Sequence, residues 1–227
     1  MEKLIDRYLR SGLLHDLPIH IWQHAFQTGK STESALHQLV GRIEWALDAC
    51  DYSFGVFFDV EGAFDHTPTS AVSEALASWK VLRFLRTWII ANLTHRTVEV
   101  VASTTKITRI TLCGLPQGGA LSLLLWSLVA IVVNQTGSFC PGYADDGVVL
   151  VCGKVLSTMS EIMQHILWGV EEWCKKRDLR VRPIKMVMIL STRKYKAESV
   201  RPLTFYFQQL TLSNQVKYLG SLSWLQA

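Results

Sequence analysis

The sequence is short of several things, and each shortage closes a class. Its five cysteines (Cys50, Cys113, Cys140, Cys152, Cys174) form no CxxC pair and stand at no matched histidine spacing. Such a set builds neither a disulfide framework nor a structural zinc site; scattered thiols in odd number fit reduced core residues of an intracellular protein. No apolar run reaches the roughly 20 residues that span a bilayer. The most apolar stretch, Ala120 to Val133, is interrupted by Ser122 and Ser127 and reads as a buried core helix. The Met1 end lacks the basic-then-apolar pattern of a secretory signal. No membrane segment is expected, and the location expected is intracellular, nucleus or cytoplasm. There are no internal repeats, no low-complexity tracts and no Gly/Ser linker.

What is present is a core. Hydrophobic residues make up 49% of 227 and charged residues 19%, which supports one packed domain and not a disordered chain. The net charge of +4 is mild, but its distribution is not. Lys175 to Arg201 carries ten Lys/Arg against Asp178 and Glu198, a local +8 that leaves −4 for the rest. A basic block beside an acidic remainder suits a surface that follows a phosphate backbone. It is equally the composition of a solvated face with no partner.

The periodicities place the elements. Ser31 and Thr32 offer an N-cap to a helix with Leu36, Leu39, Val40, Ile43 and Leu47 at helical spacing. Phe54 to Val60 reads as a buried strand that ends on an acid, and Thr67-Pro68 opens helix that continues with breaks to about Thr94. Arg96–Ala102 and Lys106–Leu112 are β-branched and predict a hairpin. The runs 139–144 and 147–151 predict a second hairpin with Asp145 and Asp146 at its tip. Thr158–Lys176 reads as an amphipathic helix with Ile162, Ile166, Val170 and Trp173 on its buried stripe. Met186–Leu190, Leu203–Phe207 and Val216–Leu222 are strand candidates. This order is α+β with a mixed or antiparallel sheet, not a βαβ alternation.

Two acidic positions stand where buried strands end: Asp59, after Phe57-Phe58, and the pair in Tyr143-Ala144-Asp145-Asp146. A carboxylate on a buried strand is unfavourable unless paired or bound to a cation. If neighbouring strands bring these together, their repulsion calls for divalent ions, and two Mg²⁺ about 4 Å apart suit in-line phosphoryl transfer. A lone Asp-Asp is otherwise an ordinary turn.

Three blocks in order narrow the choice: 58–65 (FDVEGAFD), 114–122 (GLPQGGALS) and 142–146 (GYADD). Together they resemble the central motifs of reverse transcriptases, the last being that family's Tyr-X-Asp-Asp signature. Residues 23–32 (QHAFQTGKST), the wording of the first block and Lys217-Tyr218-Leu219-Gly220 resemble the LINE-type, non-LTR retrotransposon branch, over roughly Gln23 to Gly220. The resemblance implies a right-hand polymerase palm, an antiparallel sheet backed by helices. Fingers-like parts would be residues 1–50 and 95–112, the palm 51–94 and 113–200, and the primer-grip region 201–227, in one domain without a thumb. It implies RNA-directed DNA polymerase activity with an RNA template, a DNA primer and dNTPs, and two Mg²⁺ for which Mn²⁺ substitutes. Asp59, Asp145, Asp146 and the Val60 carbonyl match the metal ligands, and Lys185 the residue that protonates pyrophosphate. Lys30, Phe64, Gln117 and Gly118 match nucleotide-contacting positions, with Phe64 as the gate against a ribose 2′-hydroxyl. Tyr143, Tyr218, Leu219 and Gly220 match primer–template contacts. Read without the resemblance, Phe64 is as well a core aromatic, Gly118-Gly119 a turn and Lys185 one more basic residue.

The sequence also departs from the family's pattern. Leu123 follows Ser122 where proline is usual, Gln27 stands where a phosphate-binding arginine is expected, and Arg182-Pro183-Ile184-Lys185-Met186 replaces a more polar stretch. These changes raise a second expectation, a catalytically inactive remnant that at most binds nucleic acid. Oligomeric state is not legible.

Overall fold

The computed structural model of the chain describes residues 1–94, 96–102, 105–130, 138–194, 200–220 and 222–223. In chain order the helices are α1 Glu2–Ser11, α2 Leu13–Asp16, α3 Thr32–Asp48, α4 Ala63–His66, α5 Thr69–Ser78, α6 Arg83–Thr94, α7 Ser122–Val129 and α8 Leu156–Arg177. The strands are β1 Tyr52–Asp59, β2 Arg96–Ala102, β3 Thr105–Thr111, β4 Ser138–Phe139, β5 Gly142–Tyr143, β6 Asp146–Gly153, β7 Val187–Ser191, β8 Thr204–Phe205, β9 Gln208–Gln209, β10 Lys217–Tyr218 and β11 Leu222–Ser223. They form two units: Met1–Ile19 with Gly62–Ala130 and Arg177–Leu179, and His20–Glu61 with Ile131–Lys176 and Arg180–Ala227. Among the described residues no helix is long and apolar enough to cross a membrane.

The second unit is built on an antiparallel sheet in the order β4-β6-β1-β7, with β5 also paired to β6. β1 is buried from Tyr52 to Phe58, and only its terminal Asp59 is part-exposed. A strand buried on both faces reads as a continuous apolar run, which is why 54–58 shows no alternation. On one face Phe57, Val148, Leu150 and Ile189 pack with Leu39 and Ile43 of α3. Ser31 caps α3 through the Ser34 backbone N–H while Ser34 returns a bond to the Ser31 backbone, a serine version of the capping box.

The hairpin β8–β9 is fixed on α8 by polar side chains one to two turns apart. Gln164 Nε2 donates to the Thr204 carbonyl (2.9 Å), Gln164 Oε1 accepts from the Thr204 N–H (2.8 Å), and Glu171 accepts from the Tyr206 N–H (2.7 Å). These side chains satisfy backbone groups that an edge strand otherwise leaves open.

The first unit is helical with one hairpin. α5 presents Ala71, Val72, Ala75 and Leu76 and packs on both α6 and α7. α7 is buried from Leu124 to Val129 on all sides, as a core helix must be. Arg96, at the base of the β2–β3 hairpin, donates to the carbonyls of Cys113 (3.1 Å) and Gly114 (2.6 Å).

The structure corrects four local expectations. Only Ala144 and Asp145 form the tip of the β5–β6 turn; Asp146 is the first residue of β6. The buried stripe of α8 runs through Met159, Met163, Ile166, Leu167, Val170 and Cys174, so Trp173 and Ile162 flank it. The strand expected over Leu203–Phe207 is two residues long, because Tyr206 and Phe207 turn with φ of 47° and 62°. α5 begins after Pro68, which serves as its N-cap. Residues 131–133 of the expected apolar helix lie outside the described residues.

Candidate active site

The antiparallel register of β1 and β6 decides the site. It pairs Phe57 with Val148, Phe58 with Gly147 and Asp59 with Asp146. Directly opposed residues have Cα atoms about 4.5–5.5 Å apart. The Val60 N–H donates to the Asp145 carbonyl at 3.0 Å, so the three acids named from sequence meet at one end of the sheet. Gly147 permits this: a Cβ there would stand 2.5 Å from the Phe58 ring, which lies across the strand.

The turn that presents Asp145 is strained. Ala144 has φ of 56°, where residues with a Cβ pay about 1–2 kcal/mol. Beyond Asp59 the chain is held by a Val60–Val181 bridge, by the Glu61 N–H on the Arg180 carbonyl (2.8 Å) and by a two-point pair between Arg182 and Glu61. That clasp was not foreseen, and no motif marks it; it joins residues 121 apart.

The electrostatics are those of crowded carboxylates. Burial, then the charges of Asp145 and Asp59, push the Asp146 carboxyl up to about 6. Asp59 is raised by burial and by Asp145, against a lowering by Lys185, whose Nζ is 3.9 Å from Asp59 Oδ2. Hard oxygen donors that repel one another are the chemistry a divalent cation relieves. Among the described residues, however, no three His, Cys, Asp or Glu side chains are gathered as a complete metal-binding set. The donors fit such an ion in kind and place, and their side chains are not closed around one.

A parallel bridge joins Gln23 to Gly142, with the His24 N–H on the Gly142 carbonyl (2.9 Å) and the Gly142 N–H on the Trp22 carbonyl (3.0 Å). The fingers-like segment thus runs beside the Tyr143 strand. His24 is buried and anchors it to α3, with Nδ1 2.9 Å from Ser34 Oγ and Nε2 3.2 Å from Gln38 Oε1. Lys30 turns inward in this structure. Its ammonium donates to the carbonyls of Ile21 and Gln23, which closes its own loop, and burial lowers its pKa.

Tyr218 is a core residue, only 3% exposed, with its ring 5.5 Å from Phe57 in an edge contact. The Leu219-Gly220 turn that follows it has positive φ at both residues (50° and 78°). The basic block is largely matched by acids. Lys175 stands by Glu171, Arg182 by Glu61, Arg193 by Asp48 and Arg201 by Glu161, while Lys194 lies over the Tyr52 ring. The expected open basic face is therefore a set of ion pairs over much of its length.

In the first unit, the 114–119 block is bound to α4. The Leu115 N–H donates to the Phe64 carbonyl (2.6 Å), the Gly114 N–H to the Thr67 carbonyl (2.8 Å), and Gln117 Nε2 to Asp65 Oδ1 (3.0 Å). A Cβ on Gly114 would meet the Asp65 carbonyl at 2.6 Å, with φ of 87°. Phe64 is half-buried, its ring 5.9 Å from that of Trp126. Gly118 has φ of 82° and open space around its Cα.

An antiparallel sheet that carries acids at the end of β1 and at the β5–β6 turn defines a polymerase palm. The chain belongs to the reverse transcriptase (RNA-dependent DNA polymerase) family, whose pattern matches residues 1–222. It is 27% identical over 216 residues to a probable RNA-directed DNA polymerase from transposon BS of Drosophila melanogaster, covering 90% of this chain and 23% of that protein. It is 26% identical over 224 residues to the retrovirus-related Pol polyprotein from the type-1 retrotransposable element R1 of Bradysia coprophila, covering 97% of this chain and 22% of that one. The chain thus spans less than a quarter of these relatives. Among solved structures it is similar to apo telomerase from Candida tropicalis, with a TM-score of 0.63 and 13% identity over 97% of this chain and 39% of that one. These likenesses support the non-LTR retrotransposon branch and the right-hand polymerase fold.

Proposed function

We propose that this chain is the catalytic core of an RNA-directed DNA polymerase that adds deoxynucleotides to a primer 3′-hydroxyl on an RNA template. The observation that carries the proposal is the register that sets Asp59 opposite Asp146 with Asp145 beside them. Asp59, Asp145 and Asp146, with the Val60 carbonyl, are the residues that would hold Mg²⁺ or Mn²⁺. When bound, two such ions supply charge neutralisation at the attacking and leaving oxygens. The chain's own groups do the rest. Lys185 would give a proton to the departing pyrophosphate, a role supported by its ammonium lying 3.9 Å from Asp59 Oδ2. By the family pattern Phe64 would select the sugar, Gln117 and Gly118 would contact the incoming nucleotide, and Tyr143 with the Leu219-Gly220 turn would contact the primer and template. Residues 1–50 and 95–112 act as fingers, 51–94 and 113–200 as palm.

A second reading, an inactive remnant, is favoured by the inward Lys30 and the paired basic block. Primer extension on an RNA template separates the two. Deoxynucleotide addition that requires Mg²⁺ or Mn²⁺ and disappears in Asp59→Asn supports polymerase; nucleic-acid binding without extension supports the remnant.

A further inference from the structure

Tyr218 has a feature that packing does not explain. Its ring belongs to the cluster of Phe57, Val148 and Ile189, a role phenylalanine would fill equally. Its hydroxyl is fully buried and has no hydrogen-bond partner among the described residues. A buried donor left unsatisfied is unfavourable, so its retention calls for an acceptor.

The sheet offers one. Phe57 and Val148 are a cross-strand rung on the face that Tyr218 covers, and the next rung on that same face is Asp59 with Asp146. Same-face rungs are about 7 Å apart along a strand. Going from the Phe57 ring toward the end of the sheet, the next side chains on this face are those carboxylates. The strand that carries Tyr218 is fixed by pairing with Leu222 across the positive-φ Leu219-Gly220 turn.

We propose that Tyr218 is a positioning residue whose buried hydroxyl donates to the Asp146 carboxylate when that carboxylate turns to hold a divalent ion. This rests on the polymerase reading above, since it assigns Asp146 to the metal. It replaces the primer contact expected of the Tyr218 side chain with a role beneath the site. Phenol-to-carboxylate bonds are short and charge-assisted, and they fix which lone pair faces the ion.

The test is Mn²⁺ binding by the whole chain, followed by electron paramagnetic resonance, with thermal unfolding in EDTA beside it. Tyr218→Phe keeps the ring against Phe57, so its melting temperature in EDTA should equal or slightly exceed that of the wild type. Its Mn²⁺ affinity should fall roughly 10-fold or more, the usual loss when a ligand's hydrogen-bond partner is removed. In an Asp146→Ala background the same substitution should leave the residual Mn²⁺ affinity unchanged. Equal Mn²⁺ affinity of wild type and Tyr218→Phe overturns the positioning role while leaving the polymerase reading intact. Wild-type binding that survives Asp59→Asn overturns the metal assignment itself, as does no binding at all, and the proposal falls with it.

Discussion

Replacing Asp146 by asparagine should make the metal-free protein more stable, although it removes a proposed ligand. Asp146 is held up to about 6 against an ordinary value near 3.8 by burial and by the charges of Asp145 and Asp59. The folded state therefore binds a proton more tightly than the unfolded chain. Stability from this group is fully present below about pH 4 and is lost as pH rises through about 6. Full linkage would amount to about 3 kcal/mol at neutral pH, and because the carboxyl is only half-buried, solvent screening reduces this to about 1–2 kcal/mol. For a chain of this size that is a rise in Tm of roughly 2–8 °C for Asp146→Asn at pH 7.5 in EDTA. The advantage should shrink steadily toward pH 4, where the folded carboxyl is protonated and the unfolded one is about half so. Lys185 and Glu61 act on Asp59 and not on Asp146, so they leave this trend in place. Differential scanning calorimetry at pH 4, 5, 6 and 7.5 reads it directly. An Asp146→Asn protein no more stable than wild type at pH 7.5, or one whose advantage grows toward pH 4, would refute the crowded-carboxylate argument.

Other expectations follow from particular residues. Tyr206 and Phe207 occupy a tight turn with positive φ, a place for Asn-Gly, and Phe207 is wholly exposed. Phe207→Gly relieves about 1–2 kcal/mol of backbone strain against about 0.5–1 for glycine's greater unfolded freedom, so Tm should rise a few degrees; a fall would show that the phenyl group makes a contact. Phe64→Val should raise ribonucleotide relative to deoxynucleotide incorporation at least about tenfold, which needs only about 1.4 kcal/mol of lost clash. An unchanged ratio in single-nucleotide extension assays would leave Phe64 as a partner of Trp126 and nothing more.

The meeting of the three acids was more legible in the sequence than their surroundings. Asp59, Asp145 and Asp146 were legible because a charged residue at the end of an apolar strand is conspicuous, and the three motifs fix their order. Their meeting depends on register, and register was legible only in outline: the expected hairpin tip took in both acids, whereas the turn holds Ala144-Asp145 and leaves Asp146 in the ladder. A one-residue shift of this kind turns a side chain to the opposite face, and local composition does not resolve it. The capped helix α3 and the β2–β3 hairpin were foreseen within a residue or two because their signals are local. Ion pairs such as Glu61–Arg182 and Asp48–Arg193 were not, since they join residues more than 100 apart and carry no periodicity. For that reason the basic block looked open in the sequence and is mostly paired in the fold. The inward turn of Lys30 was likewise not legible, because a lysine's stem lets its ammonium reach back to carbonyls of its own loop.

The central claim is that these three carboxylates hold the catalytic ions, and anomalous diffraction tests it most directly. Crystals of the chain with an RNA template, a DNA primer and a non-hydrolysable dNTP would be soaked in Mn²⁺ and measured at the manganese edge. The account predicts anomalous peaks within roughly 2.2 Å of carboxylate oxygens of Asp59 and of Asp145 or Asp146. A bound nucleotide with no manganese at these residues, or with manganese held elsewhere on the chain, would contradict it.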